Sequence, residues 1–241
     1  MSQMQFQAPP LTKTNKIILG LSLACFILSS VGKAIGAFSL PSILGLSGSG
    51  LLSGFVFQLI TYPFVETQLI GFLFNSLLIW FIGSEIERMW GEKLYQRFLG
   101  LIIFLCGLVY ALVGILLLNG TVMYSTPLFG LTGINFALLI AYATLYPDRQ
   151  LSMMLIFPMR ARTFCFILIA IELYQAVFSS YVSSWAHLMS MALSFLFIRY
   201  QTQPLIHGLL NKNFGGESKR NKKGHLRIVK DDKKDPPKYW H

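Results

Sequence analysis

Charge is what this sequence has least of. Acidic residues number 10 and basic residues 20 in 241, so 12% of the chain is charged, against about one quarter in a soluble domain whose outside must face water. With 54% of residues hydrophobic and a mean hydropathy of +0.58, that shortage excludes a soluble globular surface and disorder over the whole chain. Cysteine is scarce as well. Cys25, Cys106 and Cys165 stand inside apolar runs without metal-like spacing, which excludes a secreted disulfide scaffold and points to buried thiols. No cofactor and no metal are expected. The net charge of +10 suggests nucleic acid, yet 11 of the 20 Lys and Arg lie from Arg199 onward, at and beyond the last hydrophobic stretch. They form a tail rather than a groove, so no nucleic-acid partner is expected.

What is present in quantity is apolar sequence in long runs. A bilayer core about 30 Å thick needs roughly 20 apolar residues per helix, and six stretches qualify: Ile17 to Gly36, Thr67 to Ile86, Phe98 to Leu118, Leu128 to Tyr146, Thr163 to Ser180 and Ser184 to Tyr200. Helices are the only open-chain solution in lipid, because a strand edge leaves backbone groups without partners. The fold class is therefore an all-α integral membrane protein, a six-helix bundle. The segment from Ser39 to Glu66 differs: its Gly and Ser clusters and the Thr61-Tyr62-Pro63 break read as a long interfacial loop with short amphipathic pieces. Lys13 and Lys16 before an apolar run resemble a secretory signal, but Lys33 stands where a small-residue cleavage site belongs, so the first stretch is read as an uncleaved helix.

Basic residues near span ends accumulate on the cytoplasmic side. Lys13 and Lys16, then Arg88, Lys93 and Arg97, then Arg149, Arg160 and Arg162, then the C-terminal 11 all fall on one face of a six-span arrangement, and Lys33 alone falls on the other. Residues 1–16 are then a cytoplasmic segment, 17–200 the membrane domain and 201–241 a flexible basic cytoplasmic tail, with Ser47 to Gly50, Gly120 and Val182 outside. Basic residues of the tail are attracted to an anionic leaflet, which makes the bilayer and its anionic lipids the expected partner there, while Tyr239-Trp240 hints at a docked partner.

Ionisable groups inside spans are costly and mark functional positions. They are His187 and Glu172, with Glu66, Glu85, Glu87 and Arg88 at the borders. Thr132, in Phe129-Gly130-Leu131-Thr132-Gly133, and His187, in Trp185-Ala186-His187-Leu188, fall at nearly equal depth in two spans of the same direction. A hydroxyl beside an imidazole is the nucleophile and base pair of covalent hydrolysis, and the Asn75 amide is a donor suited to an oxyanion. The plainer alternatives are a Thr bonded to its own backbone and an Asn or His that joins helices. Glu172 with Gln175 nearby is the substrate or proton site of a third reading, a small transporter, although no inverted repeat is visible.

Taken in order, several segments resemble the rhomboid intramembrane proteases over about Phe57 to Tyr200. Phe57-Gln58-Leu59-Ile60-Thr61-Tyr62-Pro63-Phe64 is similar to the loop before the second span. Phe74-Asn75, Gly83, Glu87, Arg88 and Gly91 are similar to that span and its cytoplasmic exit. Gly130-Leu131-Thr132-Gly133 occupies the place of Gly-x-Ser-Gly, Leu145-Tyr146-Pro147-Asp148-Arg149 resembles the exit that follows, and Ala186-His187 matches Ala-His. The resemblance implies an endopeptidase that cleaves transmembrane substrates near the outer membrane surface. Thr132 would be the nucleophile and His187 the base, with Asn75 and the backbone near Gly130, Leu131 and Thr132 stabilising the oxyanion, and Glu87 and Arg88 structural. The alternative it implies is an inactive relative that binds or escorts membrane clients. Two departures bear on this choice. Thr132 replaces the usual Ser, and Gly71 and Glu66 stand where the family carries His. A compact six-span core suggests a bacterial inner membrane.

Overall fold

The computed structural model describes residues 9–117, 121–148, 150–151, 159–178 and 182–214. Each of the six apolar stretches coincides with a helix. α1 runs Lys13–Ala34. After a segment of short helices, α2 (Leu40–Leu44), α3 (Gly48–Leu52) and α4 (Gln58–Thr61), comes a 3-10 turn at Tyr62–Phe64. The second long helix is built from α5 (Leu69–Leu78), a π-helical turn (Ile79–Gly83) and α6 (Ser84–Trp90). There follow α7 (Glu92–Leu117), α8 (Thr132–Leu145), α9 (Ala161–Phe178) and α10 (Val182–Phe214). A two-residue antiparallel ladder, Gln150–Leu151 with Met159–Arg160, joins α8 to α9. The architecture is otherwise helical.

Four of these helices, Lys13–Ala34, Leu69–Trp90, Glu92–Leu116 and Ala161–Phe178, are long and apolar enough to cross a membrane, and Thr132–Leu145 is a shorter apolar helix. The segment between α1 and α5 has no spanning helix, only turns and pieces of five residues or fewer. α10 continues to Phe214, past the expected end at Tyr200, so the polar run after Tyr200 begins as helix. The chain divides into two compact units, 1–200 and 201–241. Tyr239-Trp240, the expected aromatic hint in the tail, and the expected outer-loop residue Gly120 lie outside the described residues.

Within the first unit, the core is a seam of large side chains from the middle helices. Ile79, Ile86, Tyr95, Phe98, Ile102, Leu138 and Leu139 are all essentially inaccessible, while outward apolar side chains such as Ile70, 83% exposed, and Leu116, 74%, meet the surroundings. This inversion of the soluble pattern is what a lipid solvent allows. α1 is held to the bundle by polar groups at one end. Glu87 accepts from Thr14 N at 3.2 Å and Thr14 Oγ1 at 2.6 Å and from the Thr12 hydroxyl, placing a carboxyl group at the positive end of the helix dipole. Tyr95 OH donates to Asn15 Oδ1 at 2.8 Å, and a Cβ on Gly83 would lie 2.6 Å from that phenol oxygen, so only glycine permits the approach. Arg88 turns back on its own helix, Nε to Ser84 O at 3.3 Å.

Candidate functional site

The loop from Leu40 to Phe64 sets the stage. Leu46 and Leu128 exchange both backbone hydrogen bonds, at 2.9 and 2.7 Å, and Tyr62 O accepts from Gly130 N at 3.1 Å. Tyr62 OH in turn donates to Ile103 O on α7 at 3.1 Å. The segment leading into α8 is thus tied on both sides before the helix starts. Gly130 then takes φ +103°, a conformation that a side chain would strain by about 1–3 kcal/mol, and turns the Leu131 N–H inward. Thr132 opens α8 immediately afterwards.

Three of the expected site residues meet here. Asn75 Nδ2 lies 3.4 Å from Thr132 Oγ1, and both Asn75 Nδ2, at 2.7 Å, and Leu131 N, at 3.0 Å, donate to a single oxygen, Oε1 of Glu66. Asn135, three residues after Thr132 and so on the same helix face, donates from Nδ2 to Asn75 Oδ1 at 2.8 Å and Asn75 O at 3.2 Å. The Asn75 amide is therefore fixed from behind, with both of its protons committed. Glu66 is 7% exposed; burial pushes its carboxyl above its ordinary range, partly opposed by the bonds from Leu131 and Asn75. Its second oxygen lies 4.0 Å from the place a Cβ on Gly71 would take. The two positions at which the sequence departs from the family's histidines are neighbours in space.

His187 faces the same helix from α10. A Cβ on Gly133 would lie 3.8 Å from His187 Cδ2 and 3.9 Å from Ser190 Oγ, and the Phe136 ring stands edge-on to the imidazole with centroids 5.4 Å apart. The imidazole therefore lies beside the start of α8, in ordinary contact distance of Gly133. Among the described residues no hydrogen bond joins Thr132 to His187: the threonine hydroxyl is taken by Asn75, and His187 Nδ1 pairs with Glu172 Oε2 at 3.2 Å. In the tautomer whose Nδ1–H donates to that carboxylate, Nε2 is the accepting nitrogen. Ser190 Oγ donates to His187 O at 2.7 Å and Ser194 Oγ to Ala137 O at 2.6 Å, so the small face of α10 packs on α8 as its spacing suggests. Gln175, the other half of the transporter reading, accepts from Ser184 Oγ at 3.4 Å rather than joining Glu172.

The sequence reading gives Asn135 no role, places Glu66 only as a border carboxyl at a position where the rhomboid resemblance expects His, and does not pair Glu172 with His187. Asn135 was within reach of it, because an i, i+3 amide beside Thr132 shares its face. Glu66 was not, because it acts across 65 residues of chain. Among the described residues no group of three metal-ligating side chains occurs.

The sequence model of a eukaryotic integral membrane protein family (DUF1751) matches residues 16–219. No curated protein matches the chain. Since the match spans most of the chain, this protein belongs to that family and is an integral membrane protein. The family's eukaryotic description does not support the bacterial inner membrane expected from the compact core.

Proposed function

Starting from membership of this eukaryotic membrane family, we propose that the chain is a rhomboid-like protein that crosses the bilayer six times with both termini in the cytoplasm and binds membrane-spanning clients without cleaving them. One observation carries the reading: Glu66 Oε1 accepts both of the donors, Asn75 Nδ2 and Leu131 N, that an oxyanion would require. Loss of one such donor typically costs about 2.7–4 kcal/mol of transition-state stabilisation. Two lost donors amount to roughly 5–8 kcal/mol, or four to six orders of magnitude in rate.

The binding surface in this reading is α5. Ile70, Leu73, Phe74 and Leu77 form an outward stripe at helical spacing, directly beside the polar cluster that begins at Asn75. A client helix lying on that stripe presents its own backbone or a polar residue to Thr132 and to His187, whose side chain is 15% exposed. Site-specific photocrosslinking from position Leu73 to a co-expressed client helix with a helix-breaking segment tests this. Adducts are expected from Leu73 and not from the opposite, buried position Leu78. Equal labelling at both positions, or at neither, refutes the surface.

The His187–Glu172 pair favours a second reading, a slow endopeptidase with Thr132 as nucleophile, because a carboxyl on Nδ1 is how a general base is oriented. In that case Thr132→Ser accelerates cleavage of a transmembrane substrate, and His187→Ala abolishes it.

A further inference from the structure

A groove separate from this cluster lies between α8 and α9, with Phe195 of α10 also in its lining. Its volume is about 470 Å³, and Ile140, Ala143, Pro147, Cys165, Phe166 and Arg162 contribute to its lining. The residues repeat at helical spacing on both walls. The floor is set by small side chains, Ala143 and Cys165, and Cys165 Sγ reaches Leu139 O at 3.4 Å, so the two helices touch beneath it. A helix is about 10–12 Å across and does not fit a slot between touching helices. A single extended hydrocarbon chain does.

The charge in the lining is Arg162 at one end, while the hydroxyl of Thr144, also in the lining, is spent on Ile140 O of its own helix at 2.7 Å. Arg162, in the first turn of α9, lines the groove together with Pro147, and among the described residues its guanidinium has neither a carboxylate within ion-pair distance nor a hydrogen bond. Among the described residues this end carries Arg160 and Arg162 against the single acid Asp148. From Arg162 to Ile169, also on the wall, the groove extends about 10 Å at 1.5 Å per residue, two thirds of one leaflet of a hydrocarbon core about 30 Å thick. The shape is a cation at the interface with an apolar slot running inward from it.

We propose that this groove holds one acyl chain of an anionic glycerophospholipid, with the net negative headgroup paired to Arg162. The site is distinct from the basic tail, which attracts anionic lipid by diffuse charge alone. By the distribution of basic residues this end faces the cytoplasm, the side on which anionic lipids are concentrated. A guanidinium forms paired bonds with phosphate oxygens, and the apolar slot fixes the chain that follows.

Native mass spectrometry of the full chain tests this, after equilibration in detergent with equimolar phosphatidylserine and phosphatidylcholine of matched acyl chains. Retention of one phosphatidylserine in several-fold excess over phosphatidylcholine is expected. Arg162→Gln should bring the two to parity, whereas Arg97→Gln, an equal charge loss on the same side, should leave the preference intact. Ala143→Phe, which fills the slot, should remove the bound lipid from a protein whose thermal unfolding is otherwise unchanged. Equal retention of both lipids by the wild type, a preference that survives Arg162→Gln, or displacement of the lipid by inorganic phosphate alone would overturn the assignment.

Discussion

Replacing Glu66 by Ala removes the acceptor of two buried donors at once, Asn75 Nδ2 and Leu131 N. A buried donor left without a partner costs about 1–3 kcal/mol, so the pair is worth roughly 2–6 kcal/mol. At about 2–4 °C per kcal/mol for a domain of this size, the unfolding midpoint should fall by roughly 5–20 °C. The loss should be local in origin, because Asn135 still holds Asn75 from behind at 2.8 Å. Glu66→Gln keeps a carbonyl oxygen in the same place and should recover most of the loss. Thermal unfolding in detergent, followed by the fluorescence of Trp80, Trp90 and Trp185, reads the difference. A Glu66→Ala variant unfolding within about 2 °C of wild type, or no lower than Glu66→Gln, would show that the two hydrogen bonds do not hold this segment and would remove the basis for an occupied donor pair.

Burial holds the folded Glu66 carboxyl above its ordinary value of 4.5. The folded state therefore keeps a proton that the unfolded chain releases, and its contribution to stability is full below that ordinary value and is lost as pH rises through the raised one; denaturation midpoints across that interval should flatten in Glu66→Gln. Gly130→Ala forces a side chain into φ +103° and should cost about 1–3 kcal/mol in the same unfolding assay, against almost nothing for the exposed helical Gly100→Ala, which has open space at its Cβ. Asn15→Ala strands the buried Tyr95 hydroxyl and should destabilise by about 1–3 kcal/mol, a loss that Tyr95→Phe in the same chain partly relieves. With Cys25, Cys106 and Cys165 replaced, an impermeant thiol reagent applied from the non-cytoplasmic side should label Ser49→Cys and not Ser218→Cys; the reverse result overturns the orientation.

The helices were legible because lipid removes the ambiguity that tertiary packing introduces in water: an apolar run of sufficient length has to be helical. Their ends were less so. The π-helical turn at Ile79–Gly83 leaves no mark on hydropathy, and α10 runs on to Phe214 through Pro204, a residue that in sequence reads as a helix stop. In the site, Thr132, Asn75 and Leu131 were found by motif, and they do meet. The residue that changes the chemical meaning of their meeting is Glu66, which lies in an irregular segment whose course depends on the Leu46–Leu128 bridge and on Tyr62 O capturing Gly130 N. Those are tertiary contacts between polar backbone groups, and no periodicity encodes them. Glu172 was conspicuous as a buried acid, but naming His187 as its partner required knowing how α9 and α10 rotate against each other.

In the proposed reading Glu66, and not the extra methyl of Thr132, keeps the site from hydrolysis. Thr132→Ser separates the two, since it supplies the hydroxyl that the rhomboid-like motif expects and leaves Asn75 and Leu131 bonded to Glu66. Mass spectrometry of a transmembrane substrate incubated with wild type, Thr132→Ser and Thr132→Ser combined with His187→Ala gives the answer directly. Intact substrate in all three is the predicted result; a product formed by Thr132→Ser and lost with His187→Ala would contradict it.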